Sequence, residues 1–428
     1  MNTSCPPMAY LVSRYPAISH TFILREIQRL RALGHTIFTA SINPPDRATE
    51  AMEGYERQEA QDTFFVKAQG WLGALGAMLY WLFNAPLKLS SAMGMGLRLG
   101  KGGRWLYGLA YTVEAALVAR WMQQRGLTRL HVHFGNAGAT VGVLVKQLTD
   151  CHLSYTIHGP DEFDDVPGQH LPLKMQHAND VVCISQFAKG QLMRISQPEH
   201  WAKLQVCRLG VDPAQFSYAV REAGAATVKL LCVGRLSSAK AQVLLVQACA
   251  KVRDEGLDFS LTLVGDGPDR ARIEQTIERL NLADRVHLTG ALNQAAVRAH
   301  FERADIFVLP SLAEGIPVVL MEAMSSGVPC ISTPVNGIPE LIQHERTGLL
   351  ATPGDVDSLT EQLCSLIQQP ALRQSLAQAA HTKVLADFDL NRNVAQLSRL
   401  FTGFEQPAAG HSAKPVSRIA AAHLFSAK

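Results

Sequence analysis

Glu314 and Glu322 stand with seven residues between them in the run Glu314-Gly-Ile-Pro-Val-Val-Leu-Met-Glu322, directly after the apolar stretch 304–309. Pro317 suits the first turn of a helix, because its φ is already helical and its missing N–H is one that a first turn leaves unbonded. Glu314 is then a loop residue at the helix N-terminus, and Glu322 lies about one and a half turns inside. Unbonded amides at such an end attract a phosphate, and carboxylates beside them accept hydrogen bonds from sugar hydroxyls. A nucleotide sugar carries both groups. The spacing alone is weak, since a long chain supplies such pairs by chance, so the context has to carry the argument.

Two further clusters supply that context. The apolar run 229–233 ends in Gly234-Arg235-Leu-Ser-Ser-Ala-Lys240, which places two cations at a strand end ahead of a helical stretch from about 241 to 255. The run 153–157 ends in His158-Gly159-Pro160-Asp161. Each polar group follows a short apolar strand, and open α/β sheets bind ligands at the carboxyl ends of their strands.

The elements that must hold these groups follow from the pattern. Up to about Leu209, short apolar runs at 9–12, 35–42, 130–134, 153–157 and 180–184 alternate with helical stretches at 20–33, 107–124 and 139–148. A break at 212–226, rich in Ala and Gly, precedes a restart at Lys229, with strands at 230–233, 260–264, 285–288, 305–309 and 329–332. This alternation predicts an α/β protein of two Rossmann-like, doubly wound parallel-sheet domains, 1–211 and 227–388, facing a central cleft. Three helical segments follow Asp355; the last, 389–405, is expected to return toward the N-terminal domain, and 406–428 reads as a mobile tail.

The whole chain sets outer bounds. Its 428 residues suffice for two cores, and a net charge of +3 gives no nucleic-acid footprint. Eight scattered cysteines without a C-x-x-C pair suit a reducing cytoplasm, and residues 1–8 show no secretory signal. Residues 68–87 carry no charge, yet include Gln69, Asn84, Pro86 and three glycines. A buried helical insertion, about 68–105, an interfacial helix on anionic lipid beside Lys88, Arg98, Lys101 and Arg104, and a membrane span all remain open readings.

With these residues laid out, the chain resembles the GT-B retaining glycosyltransferases of family 4, also called group 1. The signatures run from Tyr15-Pro-Ala-Ile-Ser-His-Thr-Phe-Ile-Leu-Arg-Glu26 through His133-Phe-Gly, His158-Gly-Pro-Asp161, Cys183-Ile-Ser-Gln, Leu209-Gly-Val-Asp212, Gly234-Arg235 and Gly265-Asp-Gly-Pro268 to Pro310-Ser-Leu-Ala-Glu-Gly315 and Asn336-Gly-Ile-Pro-Glu340. The opening segment is similar to that of bacterial exopolysaccharide enzymes such as those of colanic acid assembly. The resemblance implies that Glu314 contacts the transferred sugar and Glu322 the ribose. Amides around Gly315, Ile316, Val318 and Val319 would cap the sugar and diphosphate, Arg235 and Lys240 would bind the diphosphate, and His158 would lie beside the reacting sugar. It also implies a retained configuration, no metal or other cofactor, and transfer of a hexose from a nucleotide diphosphate sugar to an oligosaccharide, lipid-linked in this setting, at the cytoplasmic face. Relatives carry a glycine-rich turn after the first strand; here Ser13 to Thr21 has no glycine, so Ser19, His20 and Thr21 are assigned to the acceptor side.

Competing readings have their own signatures. A nucleotide-sugar epimerase of the same architecture would convert the donor without an acceptor, and a non-catalytic scaffold of a polysaccharide assembly would lack the carboxylates or cations. Asp355-Val-Asp357 and Asp387-Phe-Asp389 look like metal-binding D-x-D pairs, but each precedes a helical stretch where an aspartate cap is expected. His131 and His133 point to one face of a strand without a third ligand in view.

Overall fold

The computed structural model describes residues 6–100, 105–216, 218 and 227–403, with backbone only at Ser19 and Ala51. The expected tail 406–428, most of the break at 212–226, and Lys101 and Arg104 lie outside the described residues.

Thirteen strands among the described residues form two sheets, and every pairing between them is parallel. The first contains β1 (Met8–Arg14), β2 (Ile37–Asn43), β3 (Phe64–Phe65), β4 (Arg129–His133), β5 (His152–Ile157), β6 (Asp180–Cys183) and β7 (Leu204–Val206), in the order β3-β2-β1-β4-β5-β6-β7. The second contains β8 (Val228–Val233), β9 (Phe259–Val264), β10 (Val286–Gly290), β11 (Ile306–Leu309), β12 (Cys330–Ser332) and β13 (Leu349–Leu350), in the order β10-β9-β8-β11-β12-β13. The central strands are buried almost end to end, as in β11, where Ile-Phe-Val-Leu is wholly enclosed. Continuous apolar runs of this kind are what a parallel sheet covered by helices on both faces requires. Strand order reverses between β1 and β4 and again between β8 and β11. Those reversals open a crevice beyond the strand ends, and the chemistry-bearing loops start there.

The two lobes are joined twice. After the second sheet the chain crosses back as the helix Leu390–Gly403, whose buried residues Leu390, Val394, Leu397 and Phe401 recur at helical spacing. They pack with Tyr10, Ile23 and Ile27 of the first lobe in one apolar cluster. Both crossings run side by side: Val211 N–H donates to the Phe388 carbonyl at 2.9 Å, and Leu390 N–H to the Val211 carbonyl at 2.8 Å.

Three helices, Gly70–Asn84, Pro86–Arg98 and Trp105–Gln124, build a helical layer on the first lobe. Pro86 starts the second helix because it cannot continue the first. Ala77 and Trp81 face inward, and Trp81 Nε1–H donates to the Ala116 carbonyl at 3.0 Å. The opposite face of the same helix, with Leu72, Leu75, Leu79 and Leu82, is exposed. The helix is therefore apolar all round but covered on one side only, which differs from a buried insertion. Among the described residues no helix is long and apolar enough to cross a membrane.

Candidate active site

The second lobe assembles its polar groups from loops after β8 and β11. Glu314 is buried, and its Oε1 accepts from the Lys240 ammonium and from Ser311 Oγ at 2.7 Å. Lys240 is brought there by the loop after β8, which is tied to the other by Leu312 N–H donating to the Ala239 carbonyl at 2.8 Å. The helix that follows is Val318–Ser325, with Pro317 as its capping residue rather than its first member. Val318 and Val319 have no preceding turn to bond, so their amides carry the positive end of the helix. Arg235 is exposed and holds no ion pair among the described residues.

The first lobe meets this loop backbone to backbone. A Cβ on Gly315 would sit 2.3 Å from the His158 carbonyl oxygen, and one on Gly159, at φ +133°, would lie 2.8 Å from Gly315 Cα. Side chains at either position would push the walls apart. The His158 imidazole packs between Phe22 and Phe134, with ring centroids 5.0 and 4.4 Å away. Burial pushes its pKa well below the ordinary histidine value, and His133, His20 and His131 push the same way. Glu162, missed in the sequence, braces the wall: its carboxylate accepts the amides of His158 and Gly159, each at 2.7 Å, and that of Gly135. Lys174 completes the brace by donating to the carbonyls of Gly135 and Asn136, both at 2.8 Å. Burial raises the Glu162 pKa and lowers that of Lys174; the three amide donors oppose the first shift. The acid run after His158-Gly159 was the available signal.

Glu322 projects from the second turn of its helix toward the first lobe, where Arg25 Nη1 reaches its Oε1 at 3.2 Å and Arg25 Nη2 donates to Gln294 Oε1 at 2.9 Å. Burial raises the Glu322 pKa, with Arg25 opposing it. Arg25 had no assigned role, because nothing local marks a helix arginine as reaching across a cleft. His20 and Thr21 lie at the start of the helix Thr21–Ala32, and the His20 ring is 4.9 Å from Phe134, so this loop borders His158's surroundings. Of Ser19 only the backbone is described.

The D-x-D pairs act as caps. Asp355 Oδ1 accepts the amides of Asp357 and Ser358 at 2.8 and 3.1 Å, and Asp389 Oδ1 accepts that of Arg392 at 2.9 Å. Glu26, His131 and His133 offer three ligand atoms within 4.8 Å of one another. His131, however, spends both ring nitrogens on hydroxyls, Ser154 at 2.8 Å and Thr156 at 2.9 Å, so this cluster closes on itself as a hydrogen-bond network.

The arrangement can grip a diphosphate between a cationic loop and a helix end while a carboxylate and an imidazole wall enclose a sugar. The family described as "Glycosyl transferases group 1" matches residues 222–383. The amylovoran biosynthesis glycosyltransferase AmsK of Erwinia amylovora is 27% identical over 414 residues, 92% of this chain and 98% of that protein. The putative colanic acid biosynthesis glycosyltransferase WcaL of Escherichia coli K12 is 31% identical over 280 residues, 62% of this chain and 68% of that one. Among solved structures, Anabaena Alr3699/HepE in complex with UDP and glucose superposes with a TM-score of 0.70 at 18% identity, covering 93% of this chain and all of that one. The two-lobed GT-B fold is therefore shared, as the alternating pattern anticipates.

Proposed function

The chain belongs to the group 1 glycosyl transferases, and from that premise we propose that it moves a hexose from a nucleotide diphosphate sugar to an oligosaccharide during exopolysaccharide assembly. The relatives named for amylovoran and colanic acid biosynthesis support the pathway class, and the UDP and glucose in the HepE complex support the donor class. One observation carries the reading: Lys240, Glu314 and Ser311 meet beside an unbonded helix end, directly against the His158–Gly159 wall.

Breaking the anomeric bond leaves negative charge on the diphosphate. Catalysis then needs fixed positive potential where that charge grows, and Arg235, Lys240 and the amides at Val318 and Val319 supply it without a metal. The acceptor attacks from the face the diphosphate leaves, so configuration is retained, and the diphosphate takes the acceptor's proton. Glu322 receives the ribose hydroxyls. Glu314→Ala and Lys240→Ala are expected to lower transfer by roughly 10²–10³-fold or more with unchanged circular dichroism. Full activity in both would refute the site. A screen for slow donor hydrolysis identifies the sugar, and conversion of the donor without an acceptor would instead mark an epimerase.

A lipid-linked acceptor fits the exposed helical layer. Trp71, Phe83 and Leu87 are 74%, 79% and 83% exposed, and Leu72, Leu79 and Leu106 of the same layer are exposed as well. Between Asp62 and Glu114 the sequence has no carboxylate but five cations, Lys67, Lys88, Arg98, Lys101 and Arg104. Apolar side chains flanked by a cation-rich stretch of sequence suit an anionic bilayer surface at the cytoplasmic face, although Lys67 and Lys88 also pair with Glu114 and Asp150. Binding to phosphatidylglycerol liposomes is expected to exceed binding to phosphatidylcholine liposomes and to fall at least tenfold in a Leu72→Asp/Leu79→Asp variant. Equal sedimentation of variant and parent would remove this surface from the proposal.

A further inference from the structure

Behind His158 runs a line of buried polar groups that the transfer chemistry above does not use. Tyr10 Oη donates to Glu26 Oε1 at 3.0 Å. The same oxygen lies 3.2 Å from His133 Nε2, a close contact without the alignment of a full hydrogen bond. His133 Nδ1 is 3.0 Å from His158 Nε2, so one of these nitrogens donates and the other accepts. The remaining nitrogen, His158 Nδ1, is buried without a partner among the described residues.

A carboxylate only accepts, so the polarity of the whole line follows from its end. A carboxylate oxygen 3.2 Å away attracts an N–H dipole even without full alignment, so it favours the His133 proton on Nε2 and leaves Nδ1 as a lone pair. His158 must then hold its proton on Nε2 to donate to it. We infer that Glu26 and His133 are positioning residues that lock His158 in the Nε2–H tautomer, so that Nδ1 presents a lone pair to a hydroxyl of the transferred sugar. This rests on the glycosyltransferase reading for the identity of the ligand, but not for the tautomer. The surrounding groups oppose a charged imidazole: burial and the neighbouring rings lower the pKa of His131 and His158, and His20 is lowered chiefly by burial. Tyr10, its own pKa raised by burial and then by Glu26, remains a donor.

Glu26→Leu tests the logic by removing the acceptor that sets it. Leucine leaves His133 Nε2 with no acceptor to hold its proton, so the His133 and His158 protons are free to move to Nδ1 and both tautomers become populated. Long-range ¹H–¹⁵N spectra of the full chain labelled with ¹⁵N-histidine, with the His158 signals assigned by their loss in His158→Asn, should show Nε2–H in the parent and a mixture of Nε2–H and Nδ1–H in Glu26→Leu. Donor KM for sugar hydrolysis should rise severalfold in Glu26→Leu, with kcat within about threefold, and should rise less in Glu26→Asp, which keeps a carboxylate. An Nδ1–H tautomer in the parent, or an undiminished single Nε2–H tautomer in Glu26→Leu, overturns the inference, and the parent spectrum decides this even if no variant folds. The expected tautomers in a protein that processes no nucleotide sugar would uphold the relay and overturn the donor assignment instead.

Discussion

The two walls of the cleft are built by opposite strategies. In the second lobe the proposed reactive groups come from two short segments, Gly234 to Lys240 and Ser311 to Glu322, each read directly off one strand end. In the first lobe a single histidine is held by groups from four separated places: its ring by His133 on β4, backed by Glu26 on a helix, and its backbone by Glu162 after β5 and, through Glu162's partner Gly135, Lys174. A wall made of local groups tolerates drift elsewhere in the chain. A wall made of distant groups depends on the fold that assembles it.

That contrast can be broken by experiment. The largest effect is expected from Lys240→Ala, a loss of transfer of at least about 10²-fold with little change in stability, because its partner Glu314 keeps Ser311. If Lys240→Arg restores most of the activity, charge at that point matters more than the shape of the ammonium. Glu162→Leu should do the reverse, costing roughly 3 kcal/mol or more of stability because three buried amides lose their acceptor at once, while Glu162→Gln costs less. All five tryptophans precede residue 202, so intrinsic fluorescence reports the first lobe selectively. A Glu162→Leu protein unfolding at the parent's urea midpoint would deny the brace.

The smallest effect separates the lobes by pH. His131 and His158 are buried and their pKa values lie well below the ordinary histidine value, whereas His287, His300, His344 and His381 in the second lobe are not buried. On acidification the unfolded chain takes up these protons near pH 6.5 and the folded chain does not. Stability present above that pH is therefore lost as pH falls toward the lower folded values, by up to about 1.4 kcal/mol per pH unit for each histidine. The facing groups Tyr10, His20, Glu26, His133 and Cys207 share this environment. Urea midpoints at pH 7.5 and 5.5 followed by tryptophan fluorescence should differ accordingly, and identical midpoints would mean that the imidazoles are not held neutral.

The alternation of strands and helices was readable because each element is short, apolar and locally periodic, and the Glu314 loop was readable because its partners lie at neighbouring strand ends. Glu162 and Arg25 were not. A carboxylate that satisfies three backbone amides looks, in sequence, like one more acid in Asp161-Glu-Phe-Asp164, and Arg25 gains its meaning only once Glu322 stands opposite. His131 and His133 were read as strand residues facing one way, which is right about direction but silent about the Ser154, Thr156 and His158 partners that β5 brings into register. The helical layer misleads for another reason: hydropathy registers that Leu72 and Leu79 are apolar, not which side of their helix is covered.

The paired crossings at Val211 and Leu390 have one more consequence. Two covalent strands laid along each other act like the pins of a door, so the halves can swing about that seam but cannot slide past one another. Severing either strand alone would leave both leaves attached. A protease nick at the first crossing should therefore yield fragments that elute together until a denaturant parts them.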